Sequence, residues 1–179
     1  MMKSTLLATA VACGLTFGIS APASAQALER AMANYYRGDY AEAIKAMTPF
    51  AKEGDRYALY MIGFMHERGQ GVPKDDAEAA KWYGQAAELG HPNAQNNLGV
   101  LLKNGRGVPK DPVAAYKWFT LAADGYQAAE YSHRERALTN KQELAGEMSS
   151  EQLAEARQQI ESYRAADPGL PEYRAPNIR

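Results

Sequence analysis

The same message is written twice in this chain, at a 36-residue step. Gly69, Gly71, Val72, Pro73, Lys74 and Asp75 recur as Gly105, Gly107, Val108, Pro109, Lys110 and Asp111. Trp82-Tyr83 recurs as Trp118-Phe119, and Ala86-Ala87 as Ala122-Ala123. A fixed period of this length, with a glycine turn and two helical patterns, is the signature of a solenoid built from helix pairs. The expected fold is therefore all-α, with residues 57–92 and 93–127 as its two full units.

Each unit reads as helix A, a glycine-bearing loop and helix B. Ala94, Leu98, Gly99 and Leu102 fall on one face of a helix, and Ala58, Ile62, Gly63 and His66 repeat that register. Glycine inside a helix costs about 1 kcal/mol against alanine. Its return at the same register predicts a helix–helix approach too close for a side chain. In the loop, glycines supply positive φ as the chain leaves helix A, and Val72 and Val108 fill the gap between the helices. Pro73 and Pro109 stop helix A, and Asp75 and Asp111 cap helix B.

The flanking units are degenerate. Ala41 to Lys45 matches Ala77 to Lys81 at the same step, but Tyr35 to Tyr40 reads as a tight turn around Gly38, so residues 27–56 form an atypical first repeat. Beyond Gly125, a polar helix with Tyr131, Ala137, Leu138 and Leu144 is followed by a Ser149/Gln152 capping box and a stripe of Leu153, Ala156, Ile160 and Tyr163. Residues 128–165 are expected to close the stack as a last helix pair. Residues 166–179, with Pro168, Pro171 and Pro176, read as a loose tail.

Residues 1–25 read as an export signal rather than as part of the fold. Lys3 supplies the positive start, Leu6 to Ile19 the apolar stretch, and Ala23-Ser24-Ala25 the small-residue cleavage site. The apolar stretch is about 14 residues, against roughly 20 needed to span a bilayer. Cleavage after Ala25 starts the mature chain at Gln26 and places it in a periplasm or the medium. The single cysteine, Cys13, lies inside that segment, so the domain from 26 to 165 has no disulfide, thiol nucleophile or cysteine metal site. Without Lys3, 19 basic residues face 21 acidic ones, which argues against nucleic acid or an anionic membrane as main partner.

These residues resemble the Sel-one-like repeat family, a tetratricopeptide-type helical repeat. Its pattern is met by Ala94, Leu98, Gly99, Gly105, Gly107, Val108, Asp111, Ala115, Trp118, Phe119, Ala122 and Ala123, and nearly as well by the preceding unit. His66 and Leu102 stand where the family has tyrosine. The resemblance implies a right-handed α-solenoid of antiparallel helix pairs whose A helices line a concave surface. It also implies protein–protein interaction, often as an adaptor or regulator.

No catalytic, metal or cofactor motif stands out. His66-Glu67 begins like a zinc-protease helix, but Gln70 replaces the second histidine, and His66 reads as a packed residue. The Gly-x-Gly loops close a helix instead of opening one, unlike phosphate cradles. Trp82 and Trp118 read as inter-repeat packing.

A binding surface follows by elimination. If Ala58, Ile62, Gly63 and His66 pack inward, the open face of helix A holds Tyr57, Tyr60 and Phe64, with Glu67 and Arg68. Asn93 and Asn96 are equivalent in the next unit, with Val100, Lys103 and Asn104, and the first unit offers Tyr36 and Arg37. Aromatic rings and arginine are typical anchors, and asparagine can pair with a peptide backbone. The expectation is a non-enzymatic, exported adaptor or regulator binding a segment of another protein on this concave surface. The alternatives are non-catalytic binding of cell-wall fragments, or an envelope hydrolase acting on peptidoglycan or β-lactams. No cofactor is expected.

Overall fold

The structure is a computed structural model in which residues 23–166 are described. They form α1 (Ala23–Arg37), α2 (Tyr40–Lys52), α3 (Arg56–Arg68), α4 (Asp76–Glu88), α5 (Pro92–Asn104), α6 (Pro112–Gly125), a 3-10 turn (Ala128–Glu130), α7 (Tyr131–Glu147) and α8 (Ser150–Ala166). No strand occurs among the described residues. The predicted leader lies outside them as far as residue 22, and Ala23 to Ala25 form the first turn of α1. The predicted tail lies outside them from residue 167 on.

Helices α1/α2, α3/α4 and α5/α6 are three A/B pairs, and each helix packs on the next through α7. The stack is an α-solenoid. Its caps are those the loops predict. Asp75 accepts hydrogen bonds from the Ala77 and Glu78 amides at 2.9 Å each, and Asp111 from the Ala114 amide at 2.9 Å. Ser149 and Gln152 bond reciprocally at the start of α8.

The glycines divide into two kinds of close approach. A β-carbon on Gly63 would stand 2.8 Å from the Tyr83 ring, and one on Gly99 2.7 Å from the Phe119 ring. Helices A and B of one unit therefore meet at a glycine, with an aromatic ring filling the space. The second loop glycine does something the repeat pattern alone does not show. At Gly107 (φ 69°) a β-carbon would stand 2.3 Å from the Asp76 carbonyl carbon, and at Gly71 (φ 75°) 2.6 Å from the Ala41 nitrogen. Each loop is thus pressed onto the start of helix B in the preceding unit, a contact that sets the step from unit to unit.

Arg106 completes the same joint. Its guanidinium bonds both carboxylate oxygens of Asp76 (3.1 and 2.9 Å) and reaches Glu67 at 3.3 Å. Glu67 in turn accepts from the Tyr83 hydroxyl at 2.8 Å.

The stack ends in α7 and α8, and both pack on α6. Little apolar surface is available for this. The buried residues of α7 are Ala137 and Leu144, and both are used against α6, the first beside Ala122 and Ala123, the second beside Ala115 and Phe119. Tyr131, read as part of its apolar stripe, is 65% exposed. Helix α8 instead carries Ile160 into the core with Trp118 and Leu121, and its Tyr163 hydroxyl donates to the Ala87 and Glu88 carbonyls at the end of α4. Trp118 is accordingly buried under Tyr163, ring centroids 5.7 Å apart, rather than by a further repeat.

Candidate partner-binding site

The predicted surface splits into an open half and a covered half. The open half lies on α1 and α3. Leu28, Met32 and Tyr36 recur every fourth residue along one face of α1, opposite Tyr57 of α3. Together with Glu29 and Ala33 they line an apolar groove of about 560 Å³. Tyr36 is 77% exposed, held on one side by the edge of Tyr35 at 5.6 Å. Burial, with the nearby Tyr36 and Tyr60 hydroxyls adding to it, pushes the Tyr57 hydroxyl up to about 12. It is a neutral donor at any physiological pH.

Further along α3, Tyr57, Tyr60 and Phe64 form a run of rings 6.4 and 6.2 Å apart, and the Arg68 guanidinium sits 5.2 Å over Phe64. Tyr60 is the least free of them. It stacks on Tyr83 at 5.9 Å and on His91 at 4.5 Å, and burial raises its hydroxyl pKa. Arg37, by contrast, is used locally: it pairs with Asp39 at 3.2 Å and donates to Asn34, bracing the turn into α2.

The covered half is the asparagine cluster. Asn96 is 2% exposed, its Oδ1 accepting from Asn140 of α7 at 3.1 Å, and Lys103 pairs with Glu143 of α7 at 3.2 Å. Helix α7 occupies the place of a further helix A and closes this part of the face. Asn96 therefore corrects the sequence reading: it is a packing contact, not an open anchor. Asn93 is half-buried and accepts from the Tyr126 hydroxyl at 2.8 Å.

Sequence reasoning missed Leu28, Met32 and His91. The first two carry a signal, the four-residue spacing that ends on Tyr36. His91 carries none. It caps α5 through Nδ1, which accepts from the Ala94 amide at 3.4 Å. Burial, with the Arg56 charge adding to it, lowers its pKa to about 4 and keeps the ring neutral. His66 is half-buried and its Nδ1 has no partner among the described residues. No cluster of metal-ligating side chains occurs among the described residues, and no described helix is long and apolar enough to cross a membrane.

A family model of the Sel1 repeat matches residues 56–91 and 92–126, within a residue of the units read from the sequence. The chain carries two Sel1 repeats. None of the curated proteins matches it. Among solved structures it is similar to c5321, described as a protective antigen of uropathogenic Escherichia coli strains displaying an SLR fold (24% identity, TM-score 0.69). That likeness covers 79% of this chain and 30% of c5321. A Sel1 repeat protein from Oxalobacter formigenes is similar at 25% identity and TM-score 0.52, over 66% of this chain and 56% of the other. The chain thus spans under two thirds of the length of either relative. Sel1 repeats generally mediate protein–protein interaction and are typically non-catalytic scaffolds.

Proposed function

We propose that this Sel1-repeat chain is an exported, non-enzymatic adaptor or regulator that holds a segment of another protein on its concave helix-A surface. The observation that carries the reading is the α1/α3 groove, where Tyr36, Tyr57, Met32 and Leu28 form an apolar lining beside the Tyr60–Phe64 rings. A residue exposed as far as Tyr36 stabilises nothing by burial, and an aromatic at the rim of an apolar groove is a typical anchor for a partner. Asn93 at the next unit extends the surface, whereas Asn96 and Arg37 do not take part. The leader-like first 25 residues support export, which places the partner in the envelope or outside the cell.

The test is a quantitative pull-down from envelope extract with the mature chain and a Met32→Ser/Tyr36→Ser variant as parallel baits. The partner is then purified and its affinity measured by calorimetry. Loss of about tenfold or more in the variant supports the reading, since each central anchor contributes about 2 kcal/mol. Equal affinity of the two folded baits overturns it.

A further inference from the structure

A second concavity lies at the edge of the solenoid, where B helices end and A helices begin. It is a cavity of about 900 Å³ between α3, α5, α6 and α8. Tyr57, Tyr126 and Tyr163, with Leu89 and Pro92, give it an apolar wall. Leu89, just past the end of α4, is 47% exposed, the one large aliphatic side chain left so open among the described residues. Nothing among the described residues covers it.

Helix α8 delivers the chain to this cavity. Its last turn is fixed at the rim: the Tyr163 hydroxyl bonds the Ala87 and Glu88 carbonyls at the end of α4, and Arg164 pairs with Asp124 at the end of α6. Both residues belong to the cavity wall. The helix ends at Ala166, and residues 167–179 follow. Their sequence suits the wall. Pro168, Gly169, Leu170 and Pro171 make a P-x-x-P run, the kind of segment that docks on aromatic-lined grooves because its restricted backbone has little freedom left to lose. Pro168 also disfavours helix for the residue before it, which turns the chain off the α8 axis at the rim. Leu170 follows Ala166 by four positions, a reach of about 12 Å at polyproline spacing.

We propose that this cavity is occupied by the chain's own C-terminal segment, with Pro168 and Pro171 against the tyrosine rings and Leu170 covering Leu89. A tether this short holds the segment at an effective concentration on the order of millimolar, so an affinity too weak to matter between molecules suffices within one. The tail is then an internal ligand of the stack edge rather than a free end. The proposal does not depend on the α1/α3 groove, which shares only Tyr57 with this cavity.

The test is paramagnetic relaxation in the full ¹⁵N-labelled chain. Cys13→Ser removes the native thiol, and a nitroxide is attached at Glu172→Cys, directly after the P-x-x-P run. Strong broadening is expected for the Leu89, Gly125 and Tyr126 amides of the wall, and none for Gly71 and Gly107, in the loops at the opposite edge of the stack. Leu170→Ser with Pro171→Ser keeps tether and label, and is expected to lose most of the wall broadening. Leu89→Ser, at an exposed position, is expected to lose part of it, with circular dichroism confirming the fold. Wall broadening that survives Leu170→Ser/Pro171→Ser is that of a loose tether and overturns the proposal. So does broadening of Ala33 in the α1/α3 groove in place of the wall. Equal broadening of ¹⁵N chains without nitroxide, mixed with nitroxide-bearing ones, places the tail on a second copy and overturns it as well.

Discussion

Tyr60 lies flat on His91, with ring centroids 4.5 Å apart and planes 14° from parallel. The contact joins helix A of one repeat to the cap of helix A in the next. The imidazole is 8% exposed and accepts through Nδ1, so it serves as a cap only while neutral. Its folded pKa, about 4, lies below the ordinary 6.5. Between those values the unfolded chain binds a proton here that the folded chain does not, so stability falls as pH drops through that window. The component is ~3 kcal/mol at most. His91→Asn keeps a capping side chain and removes the titration. Urea unfolding from pH 7 to 4 is expected to show a steeper loss for the parent than for the variant, and parallel curves would contradict this.

The glycines give opposite expectations at positions that look alike in sequence. Gly84, inside α4, has nothing within 4 Å of a would-be β-carbon, so Gly84→Ala is expected to stabilise by about 0.5–1 kcal/mol. Gly99→Ala drives a methyl into the Phe119 ring and is expected to cost about 1–3 kcal/mol. Gly107→Ala meets backbone as well as positive φ, and is expected to cost more than Gly99→Ala. Chemical denaturation of the three variants checks the order. A destabilised Gly84→Ala or a neutral Gly107→Ala would break it.

Arg106 holds the joint between the two full repeats. Arg106→Met leaves Glu67 and Asp76 without their shared cation, and is expected to destabilise by about 1–3 kcal/mol. Because the Tyr83 hydroxyl still satisfies Glu67, Arg106→Met in a Glu67→Gln background is expected to cost less than in the parent. A double-mutant cycle in urea reads the coupling directly; a coupling of zero would mean that the three groups do not act together.

The architecture was legible because each repeated residue has a separate physical duty. Asp75 and Asp111 cap, Gly63 and Gly99 admit a ring, and the two Ala-Ala pairs are buried. The second loop glycine looked like a turn residue, and only its contact with the preceding unit shows the rest. The surface was less legible. Tyr57, Tyr60 and Phe64 form one run of rings along α3, but their degree of cover depends on residues far away in sequence. Asn96 was lost because α7, which has no repeat signature, settles over α5. Leu28 and Met32 carried a spacing signal that an atypical first repeat obscured, and His91 acts through burial that no local pattern encodes.

Export makes an expectation about mass. The proposed cleavage after Ala25 would remove the first turn of α1 and leave Leu28, Met32 and Tyr36, so it would spare the groove. Intact-mass analysis of the protein recovered from the periplasmic fraction is expected to show a chain starting at Gln26. A full-length chain in the cytoplasmic fraction would contradict the export reading.

The most direct test of the central claim is site-specific photo-crosslinking in living cells. A benzoyl-phenylalanine placed at Tyr36, at the groove rim, is compared with one at Arg157, an exposed position on α8. The account predicts one discrete protein adduct from position 36, abolished by Met32→Ser in the same chain and absent from position 157. No adduct at position 36, or the same adducts from both positions, would contradict a partner held in the α1/α3 groove.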